Sequence, residues 1–126
     1  MLDVMAGTTQ TDGQRTACWI EFSPDESIFW VSNALEASIS SYSFNNGVIS
    51  LIEEVAASGI GPDPSDPFGT TEGWIDMWIS EDGRFLYQLF GLAGTVGVYA
   101  INGADLTFIQ SVSDLPVINT QGIVAF

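Results

Sequence analysis

The sequence predicts an all-β fold, a partial β-propeller of two four-stranded antiparallel blades plus the inner strand of a third. Three observations predict it. The chain repeats itself without a gap, its turn residues recur in register, and its second strands are apolar on both faces. Shifting the 126 residues by 57 positions aligns Ala17–Val55 with Trp74–Val112. Identical pairs include Ser23/Ser80, Asp25/Asp82, Tyr42/Tyr99, Asn45/Asn102 and Val55/Val112. Apolar positions match between them, as in Ile20/Met77, Phe22/Ile79, Phe29/Leu86, Trp30/Tyr87 and Phe44/Ile101. A tandem repeat of this length is the mark of a stacked architecture.

Each copy reads as four short strands. The first has them at Cys18–Phe22, Ile28–Asn33, Ser38–Phe44 and Val48–Glu53. The second has them at Ile75–Ile79, Phe85–Phe90, Thr95–Ile101 and Leu106–Gln110. β-Branched and aromatic residues dominate them, and no long segment keeps a 3.6-residue apolar period. Ser23-Pro24-Asp25-Glu26 and Ser80-Glu81-Asp82-Gly83 are tight turns, with Pro early and Asp or Gly where a left-handed backbone is tolerated. Asn45-Asn46-Gly47 and Asn102-Gly103 are hairpin signals before each fourth strand. Glu36-Ala37 and Ala93-Gly94 mark the remaining reversals.

Ile28-Phe29-Trp30-Val31 and Phe85-Leu86-Tyr87 offer no polar face to water. A sheet with one wet face would alternate. A four-stranded meander buried on both sides and repeated in tandem is a propeller blade; a β-sandwich, the rival, should alternate on most strands. Gln121-Gly122-Ile123-Val124-Ala125-Phe126 echoes Glu72-Gly73-Trp74-Ile75-Asp76-Met77, so a third unit begins there. The expected division is 1–16 as the tail or edge of a preceding blade, 17–55 as blade one and 56–73 as an inter-blade loop. Residues 74–112 are blade two, and 113–126 are a linker with the inner strand of a third, closing blade. A ring closes at about four to eight blades. The expectation is therefore the carboxyl-terminal part of a longer protein, with self-association through open blade faces as the other possibility.

Composition excludes several classes. Sixteen acidic residues stand against Arg15 and Arg84, with no Lys and no His, for a net charge of −14. Such a chain repels nucleic acid and anionic membranes, and it disfavours phosphorylated or carboxylated ligands. No apolar run approaches the about 20 residues of a membrane helix. Met1–Gln10 has neither a basic region nor a long apolar core, so no signal peptide is expected. The compartment stays open between cytoplasmic and secreted. Cys18 is the lone cysteine, and its apolar neighbours predict a buried, unreactive thiol.

The candidate site residues lie on the predicted innermost strands. Glu21 and Asp76 can act there as general base or hold a substrate hydroxyl, or can be solvated carboxylates in a wet channel. Trp19, Trp74 and Trp78 can stack on a sugar ring or pack between blades. Asn33 ends its strand toward the surface, where it caps a turn or meets ligand. Pro62-Asp63-Pro64-Ser65-Asp66-Pro67 with Glu72 is an acidic loop whose spacing matches no calcium site. Arg84 is expected to pair with Asp82 or Glu81. No catalytic triad, phosphate-cradling glycine loop or zinc spacing is present, so no metal and no cofactor are expected.

At Ala17-Cys18-Trp19-Ile20, Phe22-Ser23-Pro24-Asp25, Val31-Ser32-Asn33, Ile79-Ser80-Glu81-Asp82-Gly83-Arg84-Phe85-Leu86-Tyr87, Gly94-Thr95-Val96-Gly97-Val98-Tyr99 and Leu115-Pro116 with Gln121-Gly122-Ile123, the chain resembles the seven-bladed propeller lactonases. That family joins 6-phosphogluconolactonase-like proteins and carboxymuconate-cyclising enzymes. The resemblance implies hydrolysis of a sugar lactone, or closure of a muconate to a lactone, in a central channel lined by His, Arg and Glu. This chain has no His, so no catalytic residue carries over. The expected function is the carboxyl-terminal part of a lactonase-like propeller, incomplete for catalysis by itself and taking a lactone or sugar-like ligand. A non-catalytic binding or scaffold propeller is the alternative.

Overall fold

The computed structural model describes residue 14 and residues 16–34, 36–58, 74–116 and 121–124. The expected edge at Leu2–Gly13, Arg15 and the acidic proline loop with Glu72 lie outside them. Two four-stranded antiparallel meanders form. The first orders β1 (Ala17–Phe22), β2 (Ile28–Asn33), β3 (Ser38–Asn45) and β4 (Val48–Ser58). The second orders β5 (Trp74–Ile79), β6 (Phe85–Phe90), β7 (Thr95–Asn102) and β8 (Asp105–Val112). No helix occurs among the described residues. β4 runs on to Ser58 because bulges around Ser41 re-register it against β3, so that Ser58 still pairs with Ser38.

The turns repeat as the sequence does. Ser23 N–H donates to Ile28 O at 2.8 Å, and Ser80 N–H to Phe85 O at 2.9 Å. Phe44 N–H donates to Ser27 O at 2.8 Å, and Ile101 N–H to Arg84 O at 2.9 Å. Each first turn is tied by an aspartate. Asp25 Oδ1 accepts from Ser23 Oγ at 2.7 Å and Ser27 N at 3.1 Å; Asp82 Oδ1 accepts from Ser80 Oγ at 2.7 Å and Arg84 N at 3.1 Å. These donors favour the ionised carboxylates, and Asp82 is held at about 2, first by Ser80 and then by Arg84. The positive-φ positions coincide too. Glu26, Ala37 and Asn46 in the first sheet occupy the places of Gly83, Gly94 and Gly103 in the second.

The sheets stack face to face, with β1 and β2 against β5 and β4 against β8. Like strand lies on like strand, so the blades follow one another head to tail. Trp30, Ala37, Ile39 and Ala57 of the first sheet pack with Met77, Ile79, Leu86, Phe90 and Tyr99 of the second. Trp30 is fully buried, and its Nε1–H donates to Ala104 O across the interface at 3.1 Å. Ser32 Oγ–H donates to Ile75 O at 2.8 Å beside it. Phe29, Val31 and Tyr42 form a second cluster on the opposite face of blade one, where the Phe29 and Tyr42 rings stack at 5.0 Å. This is the two-faced burial that the apolar second strands predict.

The repeat varies in matched pairs. In blade one, Asn33 Nδ2–H donates to Ser40 Oγ at 2.8 Å. The equivalent pair in blade two is Phe90 and Gly97. A Cβ on Gly97 would sit 2.7 Å from Phe90 Cε2 and 3.2 Å from Tyr99 Cε2, so only glycine admits the ring there.

Candidate functional site

The first strands β1 and β5 carry every candidate residue except Asn33, which ends β2, and the pleat decides their grouping. Trp19 and Glu21 are two apart on one strand and share a face. Trp19 Nε1–H donates to Glu21 Oε1 at 2.9 Å. Burial raises the Glu21 carboxyl above its ordinary value, and the indole hydrogen bond offsets part of that rise. The Trp19 ring is 40% exposed. A flat apolar ring beside a carboxylate whose proton affinity burial has raised can stack on a sugar ring, hold a hydroxyl and accept a proton.

Asp76 is placed differently. It is buried, and its Oδ2 accepts a hydrogen bond from the backbone N–H of Gly122. The carboxylate thus ties the segment at Gly122 to β5. Glu21 is engaged with Trp19 and Asp76 with Gly122, so the two carboxylates serve different partners. Trp78 is half-buried and pairs through its backbone with Tyr87. The side chain of Trp74 lies outside the described residues.

Asn33 is fully buried rather than at the surface. Its amide donates to Ser38 Oγ at 3.2 Å and to Ser40 Oγ, and Ser38 Oγ–H donates to Gln14 Oε1. The serines of β3 provide a polar lining that draws the amide inward. Cys18 is exposed, which corrects the expectation of a buried thiol. β1 is an inner-edge strand with one neighbour, so its apolar residues stay accessible. Arg84 pairs with Asp82, Nε to Oδ2 at 2.6 Å, and lies 5.5 Å from the Phe85 ring centroid.

Sequence reasoning missed Gln88, a fully buried amide between the blades. Its Nε2–H₂ donates to Leu89 O at 3.0 Å and Asp76 O at 3.3 Å, bracing β5 where the Asp76 carboxylate projects. An isolated glutamine in an apolar strand was the available signal. Two open grooves lie on blade two. One of about 470 Å³ is lined by Ser80, Glu81, Asp82, Phe85 and Tyr87, and one of about 240 Å³ by Phe85, Tyr87, Val98, Ile109 and Gln110. Both sit on blade two, away from the Trp19–Glu21 pair.

Residues 4–116 match the profile of a family described as lactonase, 7-bladed beta-propeller. No curated protein matches the chain. Among solved structures, a candidate 6-phosphogluconolactonase from Bacteroides fragilis superposes with a TM-score of 0.64 at 20% identity, covering 86% of this chain and 29% of that one. A functionally unknown protein from Desulfotomaculum acetoxidans gives 0.64 at 25% identity, covering 84% and 30%. The periplasmic gluconolactonase of Pseudomonas aeruginosa gives 0.57 at 23% identity, covering 84% and 28%. The chain thus spans less than a third of each of these structures. A two-blade stack with repeating turns, matched across 4–116, places this chain in the seven-bladed β-propeller lactonase family.

Proposed function

We propose that this chain supplies part of the channel wall of a lactonase-like propeller that hydrolyses an uncharged sugar lactone. The hydrogen-bonded Trp19–Glu21 pair on an inner strand carries the reading. Glu21 would take a proton from water as the water oxygen attacks the lactone carbonyl. The ring C–O bond then breaks to leave a carboxylate and a free hydroxyl. The Trp19 ring would hold the sugar face. The net charge of −14 favours a neutral lactone over a phosphorylated one, and weighs against a muconate-type dicarboxylate. Catalysis is incomplete on this chain alone. It has no His, and the described Arg84 is committed to a surface turn, so stabilising the oxyanion needs groups from other blades.

The same shortage of cations favours a second reading, a binding propeller that has kept the fold without the chemistry. Hydrolysis of several sugar lactones by the protein carrying these blades separates the two. The lactonase reading predicts turnover, a loss of about 100-fold in kcat for Glu21→Gln, and an acid limb of kcat/KM above the ordinary glutamate value of 4.5. No turnover above buffer leaves the binding propeller.

A further inference from the structure

Both first strands break their ladder at the same place in the repeat. In β1, Ala17 pairs with Asn33 and Trp19 with Ser32, so Cys18 is an extra residue. In β5, Trp74 pairs with Phe90 and Met77 with Gln88, so Ile75 and Asp76 face Leu89 alone. Such a bulge takes backbone groups out of the ladder and re-aims the side chains that follow. In β1 those are Trp19 and Glu21. Residues directly opposite in a pair share a face of the sheet. Trp19 is opposite Ser32 and Glu21 opposite Trp30, and both partners reach blade two, Ser32 at Ile75 O and Trp30 at Ala104 O. The Trp19–Glu21 pair therefore lies on the seam between the two blades, where β1 packs against β5.

Carbonyls that leave the ladder need other partners when buried. Ser32 Oγ–H donates to Ile75 O at 2.8 Å from across the seam, and Gln88 Nε2–H₂ donates to Asp76 O at 3.3 Å. Ser32 and Gln88 are both fully buried. Neither contact belongs to the repeat. Leu89 stands at the place of Ser32 in blade two, and Val31 at the place of Gln88 in blade one. The buried hydroxyl thus occurs at the seam that holds the pair.

We propose, resting on the lactonase reading above, that Ser32 is a positioning residue for the Trp19–Glu21 pair. By holding the bulged Ile75 carbonyl, its hydroxyl fixes β5 against β1 and sets the width and dryness of the seam in which the pair works. Without the hydroxyl, Ile75 O loses this donor, and water entering the seam takes its place. Glu21 is then hydrated, and the Trp19 ring loses its fixed distance from β5. Among the described elements packed against β1, β2 carries no titratable side chain. β5 carries only Asp76, which alternates away from the buried Met77 and is bound to Gly122. The protonation of Glu21 therefore reports the seam.

The indole N–H of Trp19 reads this directly, because it is bound to Glu21. Its nitrogen–proton resonance, identified by its loss in Trp19→Phe, is followed against pH in the protein carrying these blades, with circular dichroism confirming each fold. In the wild type it should move with the Glu21 carboxyl at a midpoint above 4.5, since burial raises that group. Ser32→Ala should bring the midpoint down toward 4.5, because water relieves the burial, and should lower kcat for D-gluconolactone about 10-fold. Ser32→Cys keeps the shape with a weaker donor and should move both in the same direction by less. Leu89→Ala opens the equivalent place in blade two and should leave the midpoint where it is. A folded Ser32→Ala protein with the wild-type midpoint, unchanged turnover by that variant, or an equal shift in Leu89→Ala overturns the proposal. A wild type that turns over no lactone sinks the lactonase reading alone, and the midpoints still decide whether Ser32 sets the seam.

Discussion

At the residue scale, the two copies solve the same local problems with different side chains. Glu26 holds φ near 59° in the turn where the other copy has Gly83 near 70°. A non-glycine residue there costs about 1–2 kcal/mol, and glycine gives back part of the gain through its looser unfolded state. Glu26→Gly should therefore stabilise the chain by about 0.5–1 kcal/mol, read as a higher urea midpoint at constant m-value. The reverse change is not symmetric. A Cβ on Gly83 would come within 2.8 Å of the Pro24 ring on the neighbouring blade, so Gly83→Ala adds a clash to the strain and lowers the midpoint. An unchanged midpoint in both variants would contradict the left-handed assignment of these turns.

At the element scale, β6 and β7 are fitted to each other through Phe90, Gly97 and Tyr99. Gly97→Ser should cost about 1–3 kcal/mol by overpacking against a ring that is itself fully buried. Chemical unfolding measures it, and a loss below about 0.5 kcal/mol, the range of an ordinary surface change, would show a looser sheet than described. The strands themselves were legible in the sequence, because pleat, turn chemistry and repeat are all local signals. Ser23, Asp25 and Asn45 recur with their apolar neighbours, and the observed turns fall there. Other features were not local. Asn33 looked like a strand end facing water, yet it is fully buried and its amide is held by Ser38 and Ser40. Cys18 looked buried because its neighbours are apolar, but β1 has a partner strand on one side only. Asp76 and Glu21 looked alike until Gly122 and Trp19 distinguished them. Contacts between blades decide such cases, and spacing along one chain does not encode them.

At the scale of the whole molecule, the chain is two units of a rotational series. Burial is strongest where the blades meet, and the exposed large apolar residues lie mostly on β1 (Trp19, Ile20, Phe22) and on the fourth strands β4 (Val48, Ile52, Val55) and β8 (Phe108, Ile109, Val112). The lactonase reading rests on that stacking. Trp30 is its center pin, with a fully buried ring and an indole N–H bound to Ala104 of the next blade. Native-state hydrogen exchange on Trp30 Nε1–H and on the amides of β2, β3, β6 and β7 tests it most directly. Stacked blades predict that the indole proton and the central amides of both sheets open together, with one common free energy. Two separate opening energies for the sheets, or an indole proton exchanging as fast as a surface group, would contradict it.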